Sequence, residues 1–113
     1  MTNGEEIDME NSNSLNNYYK KYNKIIIKNN IVLLNKPIDF YITQDEIGVY
    51  FENKDLNIYA SGRNFIDAEK NMYEELLMEW ELYANEDNSK LTDSAISIKN
   101  NLRSIVNLDD YQS

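Results

Sequence analysis

The run Ile38-Asp39-Phe40-Tyr41-Ile42-Thr43, followed by Gln44-Asp45-Glu46 and then Ile47-Gly48-Val49-Tyr50-Phe51-Glu52, decides the fold. Ile38, Phe40 and Ile42 alternate with Asp39, Tyr41 and Thr43; Ile47, Val49 and Phe51 alternate with Gly48, Tyr50 and Glu52. A period of two sends one set to each face of an extended chain. The polar break at 44–46 reads as a turn. Two strands joined this way make an antiparallel pair, apolar on one face and rich in Tyr and Thr on the other.

Downstream, Asn53-Lys54-Asp55 turns the chain into a short strand, Ile58 to Ser61, with Ile58 and Ala60 on one face. Upstream, Lys24 to Ile27 and Ile31 to Leu34 are short β-branched runs. Lys28-Asn29-Asn30 separates them, and Asn tolerates the left-handed backbone that tight hairpins need. Pro37 is expected to break the ladder and mark an edge or a turn. Tyr18, Tyr19 and Tyr22 lead into the first strand, either covering it or forming an adhesive segment.

After Gly62-Arg63-Asn64 the period changes. Asn64 suits a helix N-cap, and the carboxylate of Asp67 falls where free amides and the helix dipole favour it. A long helix is predicted to about Ala84, its stripe formed by Phe65, Ala68, Met72, Leu76, Trp80 and Tyr83 and widened by Tyr73, Leu77 and Ala84. Steps of three and four define that face. Thr92 caps a second helix, from about Asp93 to Val106, with Ala95, Ile98, Leu102 and Ile105 on its stripe; Leu91 and Ile96 are spaced as a hydrophobic staple. The fold class is therefore α+β: an antiparallel meander of three to five strands packed against one long helix, with a shorter C-terminal helix. Residues 1–17 read as a disordered acidic and polar tail, 18–107 as a single domain, and 108–113 as a frayed end.

The chain has 113 residues, a net charge of -9, and neither His nor Cys. That length buries roughly 60–70% of the unfolded surface. Without Cys there is no disulfide, and the first residues lack the basic and apolar regions of a signal peptide, so a cytoplasmic location is expected. The longest apolar runs are too short to span a bilayer. Net acidity disfavours duplex DNA and anionic membranes. The charge is uneven: from Lys20 to Lys36 every charged residue is Lys, while Asp67 to Asp87 holds eight acids against Lys70.

Without His and Cys, the usual general base, the Ser-His and Cys-His arrangements and the usual zinc ligands are missing. Glu74, Glu75 and Glu79 are the densest carboxylate group and could hold magnesium or act as an acid/base pair, but their spacing on one helix reads more simply as a solvated surface. The lysines at 20–36, interleaved with tyrosines, resemble a small single-strand nucleic-acid surface; lysines on a strand edge also prevent edge-to-edge pairing. Binding, rather than catalysis, is the expectation, with no cofactor and no metal.

The runs Asp45 to Phe51, Leu56 to Gly62 and Asn64 to Asn71 resemble the HicB-like antitoxin family: strands ending in a glycine (Gly62), a capping residue two positions on (Asn64), and an acid-plus-alanine pair opening a helix (Asp67-Ala68). The resemblance covers about residues 38–77. It departs from the family at Glu52-Asn53-Lys54-Asp55-Leu56, where a Pro-Asp-x-Pro-Gly-type turn is often found, and it lacks a C-terminal DNA-binding region. It implies a stand-alone module that neutralises a small RNA-cleaving toxin by surface complementarity. The acids Glu74, Glu75, Glu79 and Glu81 are then the candidate contacts for a basic or nucleic-acid-binding protein partner. Two alternatives stay open: an acidic nucleic-acid mimic from a virus or mobile element, and a self-associating structural protein, such as a homodimer, that meets its copies through Tyr41, Tyr50 and Tyr59.

Overall fold

The alternation at 38–52 becomes the centre of an antiparallel sheet. In the computed structural model, which describes residues 17–111, four strands follow one another in space as in sequence: β1 (Tyr18–Ile27), β2 (Asn30–Gln44), β3 (Val49–Asn53) and β4 (Ile58–Gly62). The predicted meander is present. Ile38, Phe40, Ile42, Val49, Phe51 and Ile58 are buried on one face. Each such side chain contributes about 1.5–3 kcal/mol. The long helix α1 (Phe65–Glu79) lies over that face and buries Ala68, Met72 and Leu76. A shorter helix, α2 (Asp93–Ile105), completes the α+β architecture with Ala95 and Leu102.

Several boundaries differ from the sequence reading. The runs at 31–34 and 38–43 are one strand, because the chain passes through Pro37 without turning. The pairing explains this. Tyr22 faces Ile38 but Lys24 faces Leu33, so Asn23 of β1 stands opposite residues 34–37 of β2 in a wide bulge. Pro37 falls inside it, where no ladder hydrogen bond is asked of its nitrogen. The bulge also shifts the facing of β1: Tyr22 is buried, then Ile25 and Ile27. The hairpin closes with Lys28 and Asn29, both at positive φ (49° and 67°), a two-residue turn that matches strand twist.

Ile47 does not join Val49 and Phe51 on the inner face. It sits in the turn before β3, where the Asp45 carboxylate accepts the amides of Ile47 (2.8 Å) and Gly48 (2.9 Å). The C-terminal end is also tighter than expected. Leu108 is fully buried, and the Tyr111 amide donates to the Leu108 carbonyl at 3.0 Å. Fraying after residue 107 is therefore corrected over the described residues. The tail read at 1–17 lies, except for Asn17, outside the described residues, as do 112 and 113.

Both helices start as their caps predict. Asn64 Oδ1 accepts the Asp67 amide at 2.9 Å, and Thr92 Oγ1 accepts that of Ala95 at 3.2 Å. The α-helical part of the long helix stops at Glu79, and Trp80–Ala84 forms a π turn. The wider turn places both Trp80 and Ala84 in the core. Arg103 secures it, donating to the Ala84 carbonyl at 3.0 Å while lying 5.4 Å above the Trp80 ring.

The join between sheet and helix rests on Gly62. A Cβ built there would lie 2.4 Å from the Ala68 nitrogen and 2.7 Å from the Asp67 carbonyl carbon. Both are backbone atoms that cannot move aside without lifting α1. Replacement Gly62→Ala is expected to cost at least about 2 kcal/mol, read as a lowered midpoint in urea unfolding. An unchanged midpoint would mean that the close approach is not needed.

Candidate functional site

The residues singled out from sequence lie on two separate surfaces. Glu74, Glu75, Glu79 and Glu81 belong to α1 and its π turn; Tyr41, Tyr50 and Tyr59 belong to the sheet. The helix covers one face of the sheet, and the strand alternation places the three tyrosines on the other.

On that open face the register aligns Tyr19, Tyr41, Glu52 and Tyr59 across all four strands. Tyr19 and Tyr41 pack with ring centroids 5.0 Å apart. Tyr59 is exposed, while Tyr41 and Tyr50 are half-buried. Beside the row runs an open groove of about 680 Å³, bordered by β2, β3 and α2. Three of its charged residues, Asp39, Glu52 and Lys54, form ion pairs: Lys21 and Asp39 are 3.5 Å apart, Lys54 and Glu52 4.0 Å. Asp45 is held below the usual carboxylate range by the amides of Gly48 and Ile47. Burial, reinforced by that carboxylate, raises the Tyr50 hydroxyl.

On the helix, Tyr22 ties β1 to α1. Its hydroxyl donates to Glu69 Oε2, and its ring meets Phe40 and Tyr73 edge-on. Burial, and then the hydrogen bond to Glu69, raise the Tyr22 hydroxyl far above its ordinary value. Burial and the Glu69 charge push Tyr73 up to about 12.

The four glutamates do not share one environment. Glu74 and Glu81 are exposed and Glu75 is half-buried. Glu79, read from sequence as part of a solvated face, is 4% exposed, the one buried charged residue among those described. Its Oε1 has no hydrogen-bond partner, and neither does the buried Trp80 Nε1 beside it in sequence. Burial first, and Glu75 second, raise its carboxyl above the ordinary 4.5, against the side chain of Asn57, which hydrogen-bonds it. The reading is thus corrected for Glu79: it closes the buried stripe of α1 after Met72 and Leu76, just before the π turn. Among the described residues no group of three or more carboxylates is placed to hold a metal ion.

The exposed part of the helix carries two large apolar side chains outside the predicted stripe. Met78 and Leu82 are 51% and 54% exposed. Met78 follows Glu74 by four on α1, and the π turn continues the exposed surface with Glu81 and Leu82. Their absence from the predicted stripe was the available signal. A second missed patch is the outward side of the β1–β2 hairpin, where Lys24 pairs with Leu33 and Ile26 with Ile31. Ile25 and Ile27 point inward, so Ile26 must point out. Among the described residues no helix is long and apolar enough to cross a membrane.

Compared with models of known families, with curated proteins and with solved structures, the chain gives no match.

Glu79 supplies a stability test. Its folded-state pKa is raised, so its contribution to stability is fully present below the unfolded carboxylate value and is lost as pH rises through the folded one. The charged form is therefore the costly one. Glu79→Gln is expected to raise unfolding stability by about 1 kcal/mol at pH 7, an advantage that shrinks as pH falls toward the unfolded value. Urea titrations of both proteins at several pH values measure this. A Gln variant less stable than the parent at every pH would contradict it.

Proposed function

We propose that this chain is a non-catalytic protein-binding module of the cytoplasm that docks a basic protein on the outer face of α1. The observation that carries the reading is the pairing there of two exposed apolar side chains, Met78 and Leu82, with two exposed carboxylates, Glu74 and Glu81. Apolar anchors contribute affinity once they are buried, and the flanking charges steer and orient the encounter. Lys70, one turn earlier, is the only cation in the helix and bounds the acidic surface. The HicB-like resemblance gives the partner a class: a small RNA-cleaving toxin, whose substrate site must itself be basic.

Affinity purification from the native host, with wild type and Glu74→Lys/Glu81→Lys as parallel baits, tests the reading. The expected result is a small basic ribonuclease bound to wild type and reduced at least about tenfold on the variant, with binding to wild type falling as salt rises. A nucleoprotein complex in its place would favour a nucleic-acid mimic. Equal recovery on both baits would remove α1 as the docking surface.

A further inference from the structure

We propose that the β1–β2 hairpin of one copy docks on the outer face of α1 of a second copy. The proposal rests on the reading of that face as a protein-docking surface and assigns it an occupant from the same chain. The hairpin presents Lys24, Ile26, Ile31 and Leu33 as one block, set by the pairs Lys24–Leu33 and Ile26–Ile31. Its apolar members are 46%, 66% and 75% exposed, in that order along the chain. Apolar surface of this kind, gathered in one place and rimmed by charge, marks an interaction site. Lys28 stands at the turn beside it, and no acid occurs between residues 18 and 38.

The α1 face carries the inverse pattern, with Met78 and Leu82 flanked by Glu74 and Glu81. Charge decides which surfaces meet. Hairpin against hairpin would bring Lys24 and Lys28 of two copies together, and helix against helix would gather four glutamates. Both arrangements set like charges around an apolar contact, which opposes association. Hairpin against helix matches sign to sign and apolar to apolar. Single-stranded nucleic acid is the other occupant that lysines suggest. The exposed block, however, offers Ile and Leu where base stacking needs aromatic rings, and the chain as a whole is at -9.

The test is a charge exchange. One variant carries Lys24→Glu/Lys28→Glu, so that hairpin and helix are both acidic; the other carries Glu74→Lys/Glu81→Lys, so that both are basic. All four positions are exposed, and circular dichroism with urea midpoints checks that each variant folds. In sedimentation velocity at low salt, about 0.05 M, wild type is expected to self-associate, with affinity falling at least about tenfold at about 0.5 M. Each variant alone is expected to be monomeric, and their equimolar mixture to recover association within about threefold of wild type.

A monomeric wild type at low salt, variants that associate as wild type does, or a mixture no better than its parts would each overturn the proposal. So would a wild type that stays monomeric yet binds a single-stranded oligoribonucleotide through Lys24 and Lys28. If the mixture fails while Glu74→Lys/Glu81→Lys still loses the captured basic partner, self-docking alone falls. If that variant keeps the partner too, the reading of the α1 face falls with it.

Discussion

Residue 62 has no room for a side chain, and the arrangement of the whole domain follows from that. β4 ends where the first turn of α1 lies directly on it, close enough that a single Cβ would strike the backbone of Asp67 and Ala68. Gly48 is held by the same junction, since a Cβ there would lie 2.5 Å from the Gly62 carbonyl oxygen. Ala68 is small enough to be fully buried, and Asn64 closes the free amide of Asp67. Once the helix is laid down at that height and angle, Met72, Leu76 and Trp80 descend into the sheet at successive turns. Gly62, Asn64, Asp67 and Ala68 together make this junction.

The parts of the fold that were legible are those where local rules and burial agree. Alternation at Ile38–Thr43 identified an inner face because Ile38, Phe40 and Ile42 are all buried in the core. The caps at Asn64 and Thr92 were readable because capping needs only the side chain and amides two or three residues on. The illegible parts depend on distant partners. Pro37 was read as a break because nothing in β2 shows that β1 leaves it opposite a bulge. Ile47 fits the alternation and yet is 81% exposed, because Asp45 captures the amides of its turn. Leu108 lies beyond the end of α2, where no helical period marks it, and is buried in the core all the same.

The candidate site shows the same division. Spacing placed Glu74 and Glu81 on an outer face, where they lie. The same spacing also puts Glu79, three residues after Leu76 and seven after Met72, on the buried side of α1; it was read as solvated because a carboxylate is seldom buried without a partner. Spacing could not show that the tyrosines of the sheet and the acids of the helix sit on different sides of the molecule. What remains on the helix is a compact group, two carboxylates around two apolar side chains, and on the hairpin its opposite in charge. A chain with a strong net charge of one sign ordinarily stays apart from its copies; local complementarity of this kind is a route by which it would not.

Site-specific photo-crosslinking tests the proposed docking surface most directly. A photoreactive residue at Met78 is compared with one at Ile47, which is more exposed but stands alone in a polar turn. The account predicts discrete crosslinked adducts from position 78, to a basic protein or to a second copy, weakened by salt, and none above background from position 47. Equal crosslinking at the two positions, or none at position 78, would contradict it.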